Sequence, residues 1–536
     1  METKQATCFG QAIHTVQSRQ IGALPVLQPI LSALQVRETG NALAPSQADI
    51  DLGQIVVILV LNRLLAPRPL AGMQDWFAGT VLPEVLDIAV AQIYDNRLGR
   101  ALDQLYPCLG ELWRRLVSRA ITVYDLDLTV LHWDLTSIYF EGAYVDSELV
   151  TYGYSRDQRP DAKQINLQVD VTHEDSVPVL YQILTGNTAD ITRPLPHLTA
   201  LAHFLTRPEL AERHLRPLLV SDCKLLTPAA VFECHQRQFF YLAPLPDGVA
   251  VTALLRSVPA AELAAHPLNY RPQRVAATSP FVPYQGVWRP FTFEADGARI
   301  TDRVLVVWSD GKQRLDQQKR RTYLKRLLNG LEAVQHKLNT RRYKQRAYVE
   351  QRLAALKQGN PTHALVDVGL TGDDGALQLT FAIHRSRLAA AQALDGRYAL
   401  ATNATHLTAD ETLTLFKGQD RVEKRFRVVK GPLAVHPLFV HSDRRIEGLV
   451  CITLIALLVR AILERLGRQH GLPYTAERLI HGFASLQAVD LLWADGSVQR
   501  QAAELSTLQA EVLQTLDWPF PATYAQLKTL PAAAHR

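Results

Sequence analysis

Between Ile121 and Asp222 the chain switches local pattern four times, and that succession constrains the fold more than any other stretch. "TVLHWDLTSIYFEG" and "QINLQVDVT" are rich in β-branched and aromatic residues, and "VPVLYQILTG" reads as a third strand. The helical run "PLPHLTALAHFLTRPELAERH" follows, and then a short apolar strand, "LRPLLVSDCK", carries the chain to Asp222. Strand, strand, strand, helix, strand predicts a mixed α/β core. A polar loop rich in turn formers, "TYGYSRDQRPDAKQ", separates the first two strands.

The flanks read differently. In residues 1–120, "IVVILVLNRLLAPRPL" and "DNRLGRALDQLYPCLGELWRRLVSRAI" place apolar residues at helical spacing with basic residues on the other face. Pro67 and Pro69 stop the first of these helices. Basic faces of this kind suit DNA contact and ordinary helix packing equally. Beyond the core, "QFFYLAPL", "FVPYQGVWRPFTFEADG" and "DRVLVVWSDG" are strand-like runs punctuated by Gly and Pro, and "ALQLTFAIHRSRL" and "DGRYALATNAT" repeat the texture later. Between them lies one long helix, "KRRTYLKRLLNGLEAVQHKL", with Gly330 as its weak point. The expected division is a helical region 1–120 that is a DNA-binding candidate, core segments 121–236 and 395–470, a β-rich insertion 237–394, and a helical tail 471–536.

Charge matters here by distribution. The chain of 536 residues has a net charge of only +5, yet Lys312–Lys357 holds fourteen Lys and Arg against three Asp and Glu. Such a block is either a polyanion footprint or a solvated helix face. Five scattered cysteines with no CxxC pair exclude a disulfide framework and a cysteine zinc site. The N-terminus has no apolar core of signal-peptide length. The most apolar run, "LVCITLIALLVRAILERL", meets Arg460 before the ~20 residues a bilayer requires, so it reads as a buried helix. The expectation is a cytoplasmic protein with no membrane partner.

Three acidic residues stand out. Asp134 interrupts a strand, and Asp222 ends another, where ligand-handling residues of α/β sheets collect. Glu423 lies in "LFKGQDRVEKRFRVVK". On a helix Phe416, Glu423 and Lys430 share one face, while Val422, Phe426 and Val429 form a neighbouring stripe able to pack on a sheet. Three carboxylates suit Mg²⁺, which takes oxygen ligands, and a two-ion site activates an attacking oxygen and stabilises a leaving one. Spacing alone also fits three structural carboxylates.

The words around these residues add more. "WDLTSIYFEGAY", "YGYSRDQRPDAKQINLQVDV", "PVLYQILTGNTAD", "LLVSDCKLLT", "DGRYALATN" and "LFKGQDRVEKRFRVVKGPL" occur in this order, preceded by "NRLLAPRPL" and "DNRLGRALDQLYP". Together, over about residues 50–470, they resemble the DDE transposases of bacterial insertion sequences, within the insertion sequence four supergroup. The resemblance implies an RNase H-like mixed-sheet core interrupted by a β-rich insertion and preceded by a helical region. It assigns Asp134, Asp222 and Glu423 as catalytic metal ligands for two Mg²⁺ ions, with Mn²⁺ as substitute. The supergroup pattern Tyr-x2-Arg-x3-Glu-x6-Lys falls here on Phe416, Gln419, Glu423 and Lys430, so two of its four positions depart.

The implied reaction is cleavage at transposon ends followed by joining of the 3′-OH to target DNA. The implied partners are double-stranded terminal inverted repeats and target DNA, held by a homodimer that forms on DNA and is nucleoid-associated when bound. DNA-contact candidates are Lys430, the loop residues Arg156, Arg159 and Lys163, and Arg320, Arg321, Lys325, Arg341 and Arg342 of the basic block. His132 points to the same strand face as Asp134, as a metal neighbour or a packed histidine. Trp288 and Trp308 suit base stacking or core packing. The competing readings are a nuclease that cuts without joining, a catalytically inactive DNA-binding relative, and a glycosidase with paired carboxylates. The last has no use for the basic helix.

Overall fold

The computed structural model describes residues 7–8, 11–46, 48–272, 278, 280–433, 440–494 and 497–524. It divides into two compact units, residues 1–220 with 418–536, and residues 221–417. The divisions fall at 220/221 and 417/418, where the sequence reading placed the edges of its insertion at 236/237 and 394/395.

In the first unit, β1 (Val130–Phe140), β2 (Lys163–Thr172) and β3 (Pro178–Thr185) form an antiparallel meander. Helix α1 (Pro194–Leu205) then crosses over, and β4 (Leu218–Val220) pairs parallel to β1, with Val130 opposite Leu218 and His132 opposite Val220. The resulting order is β3-β2-β1-β4. Three antiparallel strands, a crossover helix and a fourth strand beside and parallel to the first make an RNase H-like mixed α/β core.

Helices α2 (Asp420–Lys430) and α3 (Asp443–Gln469) complete this core. Helix α3 runs 27 residues, longer than the apolar run suggested, and by length and composition it would suit a bilayer; 94% of its most apolar window is buried inside the protein. Helices from the N-terminal region, Leu52–Leu65 among them, pack around it. A helix that is apolar all round needs such a jacket.

Both ends of the chain depart from the helical expectation. Strand Gln11–Gln20 pairs with Gln487–Trp493, which pairs with Val498–Ala502. Gln11–Gln20 and Val498–Ala502 are mostly polar and Gln487–Trp493 is apolar without a clean alternation, and the pairing of Gln11–Gln20 with Gln487–Trp493 joins residues more than 450 apart in sequence. Arg500 anchors the small sheet through a buried pair with Asp490 at 2.6 Å.

The second unit carries β5 (Phe240–Pro244), β6 (Pro267–Tyr270), β7 (Val282–Ala295), β8 (Ala298–Ser309) and β9 (Arg397–Thr402), in the order β5-β9-β8-β7-β6, all antiparallel. The long basic helix, Asp310–Gln335, packs Leu327, Leu331 and Val334 against the helix Arg346–Lys357 and the hairpin Val366–Ile383. It runs unbroken through Gly330. A Cβ there would sit 2.6 Å from Leu356 Cδ2, so this glycine serves close helix packing.

Candidate active site

Along β1, alternate residues face opposite sides of the sheet. Trp133 lies on one side, stacked on His197 of α1 with ring centroids 4.6 Å apart and planes 7° from parallel. His132 and Asp134 lie on the other side, where α2 docks. The contact is specific: Gln419, the residue before α2, donates from Nε2 to the Trp133 carbonyl at 2.9 Å, and its Oε1 lies 3.2 Å from His132 Nδ1.

Helix α2 buries the stripe Val422, Phe426 and Val429, as its sequence pattern predicts. Glu423 is one position round from Val422 and remains exposed, four residues from Gln419 and so above it on the helix. A second anchor lies further along. Buried Arg425 donates to the carbonyls of Ser176 (2.8 Å) and Asp175 (2.6 Å) in the β2–β3 turn and pairs with Glu464 of α3 at 2.9 Å. The turn has positive φ at both Asp175 (60°) and Ser176 (53°), and Asp175 also receives Arg465 at 2.5 Å and Arg468 at 2.6 Å. Aspartate tolerates that conformation better than most residues.

Asp134 is half-buried, and its Oδ1 accepts from the Leu135 amide at 2.7 Å. His132 is fully buried; burial, reinforced by His173, drives its pKa down to about 3. In the second unit Asp222 accepts from the Lys224 amide at 3.0 Å and pairs with its ammonium at 3.4 Å, both groups roughly one-third exposed. Among the described residues, no group of three or more His, Cys, Asp or Glu side chains is arranged to hold a metal ion. The donors have the chemistry for Mg²⁺ without yet the arrangement.

The cationic candidates divide by engagement. Lys430 binds Asp157 of the polar loop at 2.6 and 2.7 Å. Arg156 pairs with Asp190 at 2.5 Å, Arg159 is bidentate to Asp161 over the Tyr139 ring, and Lys163 donates to the Tyr144 carbonyl at 2.7 Å. In the second unit Arg320 turns inward onto buried Asp395, making it a fastening of the basic helix. Arg321, Lys325, Arg341 and Arg342 are exposed. Trp308 packs on the cluster around Val306, while Trp288 carries the Arg303 guanidinium 3.5 Å above its ring.

Sequence reasoning passed over Asp170, which faces α1 from β2 opposite Trp133. It is fully buried, 3.3 Å from His197 Nε2. The separation allows an ion pair, but burial raises Asp170 well above the usual carboxylate range and drives His197 down to about 3. Burial thus disfavours charge on both partners, and the nearby Arg193 guanidinium adds to it at His197. "VDVT" resembles "WDLT" in every local respect, so only tertiary burial separates the two aspartates.

A protein-family profile described as a domain of unknown function (DUF4277) matches residues 16–112. No curated protein sequence matches the chain. Among solved structures, the piggyBac transposase synaptic complex with hairpin DNA is similar over 88% of this chain and 82% of that one, at 8% identity and a TM-score of 0.36. The Mos1 mariner paired end complex with Mn is similar over 38% of this chain and 60% of that one, at 14% identity and a TM-score of 0.17. A pre-cleavage Mos1 transpososome is similar over 39% and 62%, at 14% identity and a TM-score of 0.17. The chain thus spans about three-fifths of the Mos1 chains. The RNase H-like assignment rests on the strand order above.

Proposed function

We propose that this chain is a DDE transposase of the insertion sequence four type, which cuts DNA at transposon ends and joins the freed 3′-OH to target DNA. The observation that carries the reading is the docking of the Glu423 helix on the Asp134 face of an RNase H-like sheet, fastened at Gln419 and Arg425. The ordered motifs around Asp134, Asp222 and Glu423 support it. So does the exposure of Arg321, Lys325, Arg341 and Arg342, cations placed for a DNA backbone.

In this reading Asp134, Asp222 and Glu423 hold divalent cations, Mg²⁺ or Mn²⁺. Such ions, when bound, lower the pKa of an attacking water and neutralise charge on the phosphate. Lys430 reaches a phosphate by leaving Asp157, an exchange of one anion for another. Arg156 and Arg159 have the same choice. Joining two ends calls for two protomers on DNA.

A second reading is a relative that binds DNA without cleaving it. The internal pairing of the loop cations favours it. The test is nicking of a supercoiled plasmid carrying the chain's own gene with its native flanks, with and without Mg²⁺. Cation-dependent cuts at the element's ends, absent in Asp134→Asn, support the transposase. Binding without cuts in either protein supports the alternative.

A further inference from the structure

Gln419 occupies the position where the resembled pattern has arginine, and its contacts explain the departure. Its Nε2 is fixed as the end facing the Trp133 carbonyl, because a carbonyl only accepts. Its Oε1 therefore faces His132 Nδ1 at 3.2 Å, and that nitrogen must carry the proton. His132 Nε2 is then the acceptor for His173 Nδ1–H at 2.9 Å. One amide thus sets the direction of a chain of three hydrogen bonds from β1 to the β2–β3 turn. Arginine has five donors and no acceptor, so it would leave His132 Nδ1 as the acceptor and move the ring proton to Nε2, reversing the chain. Glutamate would set a carboxylate against the Trp133 carbonyl. Glutamine supplies the donor that the carbonyl requires and the acceptor that fixes the His132 proton on Nδ1.

We propose that Gln419 is a positioning residue, which registers the Glu423 helix against β1 by clasping the Trp133 carbonyl, the oxygen of the Trp133–Asp134 peptide, and the His132 ring two residues before Asp134. Helix α2 has no side-chain cap at its start, so this clasp and the burial of Val422 are what hold its first turn. Arg425 fastens the helix six residues further on. The inference rests on the transposase reading for its catalytic meaning and on geometry alone for the clasp.

The test uses the full chain and the variants Gln419→Leu, His132→Leu and the double variant. Hydrogen exchange reads the first turn of α2 directly, and the Mn²⁺ concentration for half-maximal plasmid nicking reads the site. Gln419→Leu is expected to speed exchange at residues 420–424 and to raise the Mn²⁺ requirement about tenfold, as loss of an outer partner of a metal ligand does. DNA affinity and melting temperature stay near wild type. The double variant is expected to be no worse than Gln419→Leu, since both residues serve one clasp. Unchanged exchange, additive losses, or faster exchange with an unmoved Mn²⁺ requirement would overturn the proposal. Wild-type protein that never nicks sinks the function and leaves the exchange experiment to decide the clasp.

Discussion

The two faces of β1 carry the same kinds of residue and put them to opposite uses. On the α1 side, Trp133, His197, Asp170 and Gln168 are sealed from water, and the Gln168 amide meets His197 Nδ1 at 2.8 Å. On the α2 side, His132 is sealed, Asp134 is half-buried and Glu423 is exposed. An aspartate beside a histidine is therefore no sign of function by itself. What separates the faces is access: an acid that must bind a cation and a phosphate needs water and substrate on one side. Asp170 has neither, and burial pushes its pKa well above the usual carboxylate range.

The largest effect expected is the one that would break this contrast outright. Asp134→Asn should abolish end cleavage, by on the order of a thousandfold or more, as loss of one member of a cooperating catalytic group does. Its melting temperature should stay near wild type. Asp170→Asn should do the reverse, leaving cleavage within a few-fold and moving stability. Plasmid nicking and calorimetry on the two variants check this together. If Asp170→Asn also abolished cleavage at normal stability, the active face would be misassigned.

The sequence made one of these faces legible and left the other dark, for a physical reason. Asp134 and Glu423 stand out in the sequence because long motifs surround them, and the stripe Val422, Phe426 and Val429 follows from helical spacing alone. The succession of strands and helix between Val130 and Val220 was likewise local information. Asp170 and His197 meet across 27 residues and the intervening strand β3, so no local pattern records them. The same holds for the terminal sheet, whose strands lie at opposite ends of the chain. Arg320 shows the converse failure. Its charge suggested DNA, and only the fold reveals Asp395 beneath it.

The next two effects sharpen what each face contributes to folding. Trp133→Ala empties the sealed side and should cost about 3–5 kcal/mol, the usual range for removing a buried large aromatic. Arg425→Ala acts on the other side. It removes one partner of Glu464, which keeps the Ala476 amide, and unties two carbonyls of the β2–β3 turn; breaking a largely buried pair of this kind costs up to roughly 3–5 kcal/mol. Denaturant melts read both. The distinction lies in activity: Arg425→Ala should also weaken cleavage, because α2 carries Glu423, whereas Trp133→Ala should act through stability. Arg425→Ala with normal cleavage at a temperature where it is folded would detach the second anchor from the site.

The smallest effect concerns the protonation of the sealed pair, and its sign differs for the two partners. His197 has a folded value near 3 against an ordinary 6.5, so its neutral form is favoured by folding. Its contribution is intact above pH 6.5 and is lost as pH falls, because the unfolded chain takes up a proton that the folded one refuses. Asp170 has its folded value raised, so its contribution is intact below the ordinary value of 3.8 and is lost as pH rises through the folded value. Where the two windows overlap, the slopes oppose and the wild type should be nearly flat. Removing one partner exposes the other. Asp170→Asn should lose about 2–3 kcal/mol between pH 6.5 and about pH 4.5, since each unit is worth about 1.4 kcal/mol. His197→Gln should instead gain stability on acidification. Urea melts across that range decide it, and equal slopes in both variants and wild type would mean that the pair does not titrate as a neutral acid beside a neutral base.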